Sequence, residues 1–277
     1  SCLFKSIDLR KKTKRGVGMK EIFEIHEKIY GEPPKLAVET PGRFHLLGEN
    51  SWFCKDKTLS MAVNLPVYIS VSLRDDSAVH FYFHQLNEEK KTSLSSLRVK
   101  KEDRWANNMK AMLYGFTSGG YELKGMNFTV YTEILPSAGF GITTAIKVGT
   151  AFAIRQLLKL NCSDVQLLQV IERGNKLFLH TGNYIADNFA ALYSKPGNLI
   201  LTDHAAGTYD FIPFDFKDKK IFLTDAKVPR IDIWDEESIR EPENVLLLGD
   251  LRERKNTVYG GWRYEQSATE INETLSI

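Results

Sequence analysis

The residues with the clearest chemical potential lie in a short glycine-containing loop. Residues 135–153 read LPSAGFGITTAIKVGTAFA, in which Gly139 and Gly141 precede Thr143 and Thr144. The segment before the loop reads as a strand, and the segment after it has helix formers with apolar residues at helical spacing. The first N–H groups of a helix have no partner within the helix, and the helix dipole adds partial positive charge there. The pattern therefore favours an anion-binding loop, whose usual guest is phosphate.

An ordinary turn with helix caps explains the same loop residues. Glycine and threonine are both common at such positions. The loop is not a Walker A motif, which closes with Lys and Ser or Thr, and it is not G-x-G-x-x-G. A hydroxyl in the first helical turn can also bind the Mg²⁺ that accompanies ATP. The loop alone leaves both interpretations open.

Two charged residues elsewhere in the chain are of a type that assists phosphoryl transfer. Arg43 lies in PGRFHLLGEN, and Asp187 lies in YIADNF. A carboxylate can orient or deprotonate an attacking hydroxyl, and a guanidinium can keep that carboxylate ionised and stabilise charge on the transferred group. Taken singly, Arg43 can equally form a surface ion pair, and Asp187 can equally cap a helix.

The surrounding pattern indicates alternating helices and strands. Residues 19–30 form an amphipathic pattern that predicts a helix ending at Gly31. The polar stretch 86–103 predicts a surface excursion. Further helices are expected at 105–118, 146–160, 163–179 (capped by Ser163 or Asp164) and 186–194, and strands at 35–40, 61–73, 78–84, 125–135, 198–203 and 221–230.

These elements predict a mixed α+β fold. Long stretches of neighbouring strands argue against a doubly wound parallel sheet. With 277 residues the chain is long enough to bury a sizeable core. A change in composition at FKDKK, residues 216–220, suggests a domain boundary, which divides the chain into 1–216 and 217–277.

The composition argues against several classes of partner. The 37 basic and 35 acidic residues are widely spread and leave a net charge of +2, which gives no reason to expect nucleic acid or membrane surfaces as partners. No apolar run approaches the roughly 18 residues of a membrane span, and the N-terminal stretch lacks the apolar segment of a signal peptide. Cys2, Cys54 and Cys162 show no metal-binding spacing and suit a reducing compartment. The sequence therefore predicts a cytoplasmic protein.

The motifs taken together, in this order, resemble one superfamily of small-molecule kinases. They are PGRFHLLGEN at 41–50, AGFGITTA at 138–145, YIADNF at 184–189 and LTDAKVPR at 223–230. They resemble the GHMP kinases, which include galactokinase, homoserine kinase, mevalonate kinase and phosphomevalonate kinase, with galactokinase the most similar. The resemblance implies a two-layer α/β fold, with an N-terminal domain like ribosomal S5 domain 2 over 1–216 and an incomplete C-terminal domain over 217–277.

The resemblance also implies a reaction and a set of roles. The expected activity is transfer of the ATP γ-phosphate to a hydroxyl of a sugar or related small alcohol, with Mg²⁺. Asp187 would face the attacking hydroxyl, and Arg43 would lie beside it. Thr143 falls where the superfamily has a serine that binds Mg²⁺. The expected phosphate-binding loop comprises Ser137, Ala138, Gly139, Phe140, Gly141, Ile142, Thr143 and Thr144.

The acceptor-binding positions depart from the galactokinase pattern. Galactokinases have His-Thr-Asp-Tyr after Gly-Glu, and that Asp binds the sugar. Here Glu49 is followed by Asn50, Ser51, Trp52 and Phe53, so an indole replaces the carboxylate. Glu49, Asn50, Trp52 and Phe53 are the expected acceptor-binding residues. An indole offers one donor and no acceptor to a sugar, so we expect a preferred substrate other than galactose.

The metal-binding positions depart as well. A glutamate that the superfamily uses near the metal corresponds to Asn175, and Glu172, one helical turn earlier, could substitute for it. The superfamily's third, glycine-rich motif has no match in residues 231–277. A second hypothesis is therefore a catalytically inactive GHMP-fold protein that senses a ligand or binds a partner. A third is an α+β domain without a nucleotide site.

Overall fold

The described part of the chain is a curved sheet with helices packed on it. The computed structural model describes residues 17–48, 56–134, 139–214 and 222. The helices are α1 (Val17–Tyr30), α2 (Ala106–Thr117), α3 (Ile142–Leu157), α4 (Asp164–Arg173) and α5 (Ile185–Tyr193). The strands are β1 (Leu36–Leu47), β2 (Lys57–Leu73), β3 (Ala78–Phe83), β4 (Glu88–Ser93), β5 (Met126–Thr132), β6 (Asn198–Asp203) and β7 (Thr208–Pro213). This architecture confirms the predicted α+β class.

The long strand β2 organises the sheet. Its N-terminal part pairs with β6 and its C-terminal part with β5, while β1 pairs with it antiparallel along most of its length. The strand order is β4-β3-β5-β2-β6-β7, and β3 with β5 is a parallel pair. A register shift between Pro41 and Gly42 lets β1 continue through the Pro-Gly-Arg motif, which therefore belongs to a strand.

The main core lies between the sheet and helices α2 to α5. On β2, Val67, Ile69 and Val71 alternate into this core, as expected for one face of a strand. The opposite face is covered by α1, which packs Met19 and Ile22 on a smaller cluster. The helices are therefore not confined to a single layer, although most of them share one face.

The sequence missed two strands and one change in helix type. The polar stretch expected to be a surface excursion contains β4, an edge strand of the described sheet. Its Glu and Lys residues are tolerated because no described strand pairs with its outer side. β7 was not foreseen. The helix expected over 163–179 ends at Arg173 and continues as a π-helical turn, Gly174–Phe178. The strand expected at 221–230 and the boundary at 216–220 lie outside the described residues, apart from Phe222.

Candidate active site

The site is centred on a buried ion pair between β1 and α5. The guanidinium of Arg43 donates from Nε to Asp187 Oδ1 at 2.7 Å and from Nη2 to Asp187 Oδ2 at 3.0 Å. The two side chains are 16% and 10% exposed. Arg43 is therefore no surface ion pair, and Asp187, in the first turn of α5, does not cap that helix. The pairing expected of these two residues is present.

Two further side chains complete the surroundings of Asp187. His45 Nε2 lies 2.7 Å from Asp187 Oδ1, and His45 Nδ1 lies 2.7 Å from Ser60 Oγ. From α3, Thr144 Oγ1 donates to Asp187 Oδ2 at 3.0 Å. The carboxylate, which α5 carries, thus has partners on β1 and α3 and is fixed in one orientation.

These contacts determine the ionisation of Asp187. Burial favours the neutral acid and by itself would raise its pKa. Hydrogen bonds from His45 and Arg43, together with the charge of Arg43, outweigh burial and hold the pKa of Asp187 well below its usual range. The carboxylate is therefore ionised at neutral pH.

The glycine loop is attached to the same strand. The backbone N–H of Arg43 donates to the carbonyl of Phe140 at 2.8 Å, and Arg43 Nη1 donates to the carbonyl of Gly139 at 2.9 Å. Gly139 and Gly141 have φ of 75° and 70°, in the left-handed region that favours glycine. A Cβ on Gly141 would lie 3.0 Å from Arg43 Cγ. Glycine thus permits both the turn and its close approach to Arg43.

The loop leads directly into the N-terminus of α3. Gly141 is the N-cap residue and provides no side-chain cap. Thr143 is exposed, whereas Thr144 is buried against Asp187. Backbone N–H groups of the first turn and the Thr143 hydroxyl are therefore available for an anion beside the Arg43–Asp187 pair.

Glu172, the proposed metal ligand, forms an ion pair with a lysine of the next helical turn. Glu172 Oε1 pairs with Lys176 Nζ at 2.6 Å, and its side chain is 43% exposed. Asn175, which is 2% exposed, instead accepts a hydrogen bond from Lys147 Nζ at 2.8 Å. Within the described ranges, no group of three or more His, Cys, Asp or Glu residues could hold a metal ion.

Several expected site residues lie outside the described part of the chain. Ser137 and Ala138 of the loop belong to this group, as do Glu49, Asn50, Trp52 and Phe53. Their assignments remain predictions. The described ends nearest to them are Gly48 and Gly139, and Gly48 is bonded through its carbonyl to Thr58 Oγ1.

Sequence reasoning missed His45 and Lys147 as members of the site, and it missed the contact between Thr144 and Asp187. His45 had a usable signal, because residues two apart on a strand share a face and Arg43 was already assigned. Thr144 was expected in the loop, but its contact with Asp187 depends on the rotation of α3, which the sequence does not define. Lys147 lies one turn further along α3 and had no motif to mark it.

Two family models match the chain. The galactokinase galactose-binding signature covers residues 24–73, and the GHMP kinases N terminal domain covers residues 106–195. These ranges include β1 with Arg43 and His45, and α3 and α5 with Thr144 and Asp187. The chain belongs to the GHMP kinase superfamily. Within that superfamily it is similar to galactokinases.

Proteins similar to this chain in sequence include ones named as galactokinases. The chain is 38% identical over 212 residues to a Treponema pallidum protein named "Putative galactokinase", covering 76% of this chain and 53% of that one. It is 28% identical to the galactokinase of Thermosipho africanus, covering 70% of this chain and 53% of the relative. The chain thus spans about half the length of these relatives.

A solved structure shows the same fold. Galactokinase from Lactococcus lactis, complexed with galactose, superposes with a TM-score of 0.71 at 18% identity, covering 93% of this chain and 70% of that one. Mevalonate kinase from Methanococcus jannaschii gives a TM-score of 0.52 at 16% identity, covering 77% and 71% of the two chains. The expected GHMP-kinase-like fold is confirmed. In the described ranges, no helix is both long and apolar enough to span a membrane.

Proposed function

We propose that this protein transfers the γ-phosphate of ATP to a hydroxyl group of a sugar or related small alcohol. The observation that supports this most strongly is the buried two-point contact between Arg43 and Asp187 beside the start of α3. It joins an ionised carboxylate, a guanidinium and free helix N–H groups within one small region. Groups of these kinds position the nucleophile and stabilise charge in phosphoryl transfer. The chain spans about half the length of these relatives, so the activity of the whole protein is a proposal.

The loop is assigned to the nucleotide phosphates. Backbone N–H groups at residues 142–144 would hold phosphate oxygens with help from the α3 dipole. Arg43 uses three of its five N–H donors on Asp187 and Gly139, which leaves two for the transferred phosphoryl group. Ser137 and Ala138 are proposed to continue the loop.

Asp187 is assigned to the acceptor. The acceptor oxygen forms a bond to the γ-phosphorus, the bond from that phosphorus to the bridging oxygen breaks, and ADP leaves. Because the pKa of Asp187 is held low, this carboxylate is a weak base and a strong hydrogen-bond acceptor. Its main work is to orient the hydroxyl, taking the proton late as the transition state forms. This suits a loose transition state in which the nucleophile carries little new bonding.

A magnesium ion ligated by protein carboxylates does not fit the described residues. Mg²⁺ is usually bound through one or two carboxylates together with phosphates. Asp187 is paired with Arg43 and is assigned to the acceptor, and Glu172 is paired with Lys176. The exposed Thr143 hydroxyl is the remaining predicted ligand. The metal roles of Thr143 and Glu172 therefore stay predictions, and no step of the mechanism depends on them.

The acceptor remains a class rather than a compound. We propose that Glu49, Asn50, Trp52 and Phe53 line the acceptor pocket, which would adjoin Gly48 at the end of β1. Replacement of a sugar-binding carboxylate by Trp52 should disfavour galactose, because a sugar hydroxyl left without its partner costs about 1–3 kcal/mol.

A catalytically inactive ligand sensor is the second candidate. It is favoured by the pairing of Asn175 with Lys147, since an amide and an ammonium stand where the superfamily resemblance implies a glutamate near the metal. Such a protein would bind nucleotide or sugar without turnover. Both candidates remain consistent with the Arg43–Asp187 geometry, so a rate measurement must separate them.

The test is ADP release by the complete protein, measured across a panel of sugars and small alcohols with MgATP. The proposed activity predicts acceptor-dependent release, with galactose below the best acceptor. Binding of nucleotide or sugar by calorimetry without acceptor-dependent release would support the sensor. Release of ADP at the same rate with and without any acceptor would contradict transfer to an alcohol.

A further inference from the structure

Lys147 is a cation placed inside the proposed site, and no carboxylate among the described residues forms an ion pair with it. It lies on α3, three positions after Thr144, so both side chains share one face of the helix. Its ammonium group is partly buried, and its Nζ donates to the side-chain oxygen of Asn175 at 2.8 Å. An amide oxygen is neutral, so this contact orients the charge without cancelling it.

The position of the ammonium is fixed by a chain of asparagines. Asn175 donates from Nδ2 to Asn183 Oδ1 at 2.9 Å, and Asn188 donates to the same oxygen at 3.0 Å. Asn188 follows Asp187 in α5. Lys147 is thereby linked through neutral groups to the helix that holds Asp187, and its position does not depend on a salt bridge.

The charge balance of the region favours anions. The described groups are two cations, Arg43 and Lys147, around one carboxylate, Asp187, which already has both oxygens bonded. Burial lowers the pKa of Lys147 to about 8, and the charge of Asp187 opposes that shift. The ammonium is therefore protonated at neutral pH yet poorly solvated, so an approaching phosphate would restore interactions that it lacks. An ammonium has three donors, and the hydrogen bond to Asn175 uses one of them.

We infer that Lys147 supplies a fixed protein charge that stabilises nucleotide phosphates in this site, in place of a divalent ion held by protein carboxylates. The inference rests on the proposed nucleotide site and adds to it a residue and a mode of charge compensation. Magnesium bound to the nucleotide can be present, but on this inference its removal costs little ADP affinity. What the inference excludes is a requirement for a protein-ligated divalent ion in nucleotide binding.

The experiment compares ADP affinity with excess Mg²⁺ and with EDTA, by calorimetry on the complete protein. Wild type should bind ADP in EDTA within about threefold of its affinity in Mg²⁺. Lys147→Met should lose about tenfold or more in EDTA, the order expected for removing one nearby charge. Lys147→Arg should lose less. Lys20→Met, which removes an exposed lysine on α1, is the matched control and should leave affinity unchanged.

A second variant tests the inference independently in case Lys147→Met does not fold. Asn175→Asp keeps an oxygen acceptor for Lys147 but neutralises its charge, so it should also weaken binding in EDTA. It loses the hydrogen bond to Asn183, so its folding is checked by circular dichroism at the temperature of the binding measurement. Loss of wild-type binding in EDTA, with normal binding in Mg²⁺, would overturn the inference and leave the proposed kinase intact. Equal ADP affinity of wild type and Asn175→Asp in EDTA would overturn it too. No ADP binding in either condition would overturn the proposed function, and the inference with it.

Discussion

At the scale of single residues, the carboxylate of Asp187 accepts four hydrogen bonds from three neighbouring side chains. Arg43 contributes two of them, and His45 and Thr144 contribute one each. The charged donor Arg43 favours the ionised form of Asp187, and the neutral hydroxyl of Thr144 connects the carboxylate to the first turn of α3. A shift of the loop would therefore be transmitted directly to Asp187.

His45 should act as a positioning residue for Asp187. A hydrogen bond to a charged group contributes about 1.5–3 kcal/mol, so His45→Leu should lower turnover by roughly 10–100-fold while the affinity for MgATP stays unchanged. Ser60→Ala should have a smaller effect, because Ser60 orients the imidazole without touching Asp187. Steady-state kinetics with calorimetry would separate the two parameters.

His204 provides the matched control for His45. It forms a similar histidine–hydroxyl pair with Thr58 on the adjoining part of the sheet, at 2.7 Å. His204→Leu should affect turnover less than His45→Leu does. Equal losses from both substitutions would indicate general damage to the sheet and contradict the specific role of His45.

At the scale of elements, the site depends on how closely α3 lies on β1. Gly149 faces Thr40, and a Cβ at this position would lie 2.5 Å from Thr40 Oγ1 and 3.0 Å from Ile69 Cδ1. A glycine within a helix costs about 1 kcal/mol relative to alanine. We therefore attribute the glycine to the close approach of strand and helix, which places Thr144 within reach of Asp187.

Gly149→Ala should destabilise the protein despite the better helix propensity of alanine. Overpacking costs about 1–3 kcal/mol, which exceeds the gain of about 1 kcal/mol in propensity. Thr40 Oγ1 is buried and lacks a hydrogen-bond partner, so Thr40→Ala should cost little and should relieve the clash. Denaturant unfolding of both single variants and the double variant measures this coupling.

Gln156 is exposed on the same helix α3, so Gln156→Ala is the control for the unfolding measurements on Gly149→Ala and Thr40→Ala. Gln156→Ala should change the unfolding free energy by no more than about 0.5 kcal/mol. If the losses of unfolding free energy from Gly149→Ala and Thr40→Ala simply add, the double variant recovers no stability. In that case Thr40 does not limit how closely α3 approaches β1.

The residues of the site were easier to predict from the sequence than the packing of helices and strands around them. The Arg43–Asp187 pair and the loop could be expected because their residue types follow from the chemistry and the motif order. The contact of Thr144 could not, since it depends on the α3 rotation set by Gly141 in its left-handed conformation. β4 was missed because an edge strand can be polar on both faces, which removes the alternation that marks a strand.

At the scale of the whole molecule, two faces of one sheet have different chemistry. The face under α2 to α5 is apolar and supports the site. The face under α1 contains a buried polar cluster in which His26 contacts Ser70, Ser72 and Thr129. His26 is fully buried, and burial lowers its pKa to about 4, against a smaller opposing effect of Glu32.

Stability should fall on acidification through the range of His26. The unfolded chain binds this proton near pH 6.5, whereas the folded protein binds it near pH 4, so the unfolded state holds more protons between these values. The unfolding free energy should drop by up to about 3 kcal/mol from pH 7.5 to pH 4 through His26. Asp187, whose pKa is depressed, contributes a loss only as the pH falls below the carboxyl range.

The variant His26→Gln separates the contribution of His26 from the rest of the pH dependence of the unfolding free energy. Glutamine can bond to the same hydroxyls and does not titrate, so its stability should be lower at pH 7.5 but should decline less between pH 7.5 and pH 4.5. Urea unfolding at several pH values measures the slope. Parallel curves for wild type and variant would show that the acid sensitivity arises elsewhere.

The central claim is that Asp187 acts on the acceptor in phosphoryl transfer. Asp187→Asn keeps the size of the side chain and part of its hydrogen bonding but cannot accept the proton. In the complete protein, with the best acceptor of the panel, turnover should fall by roughly 10²–10⁴-fold. The dissociation constant for MgATP should stay within about twofold, and the exposed Asp210→Asn should behave as wild type. Wild-type turnover in Asp187→Asn would contradict the account.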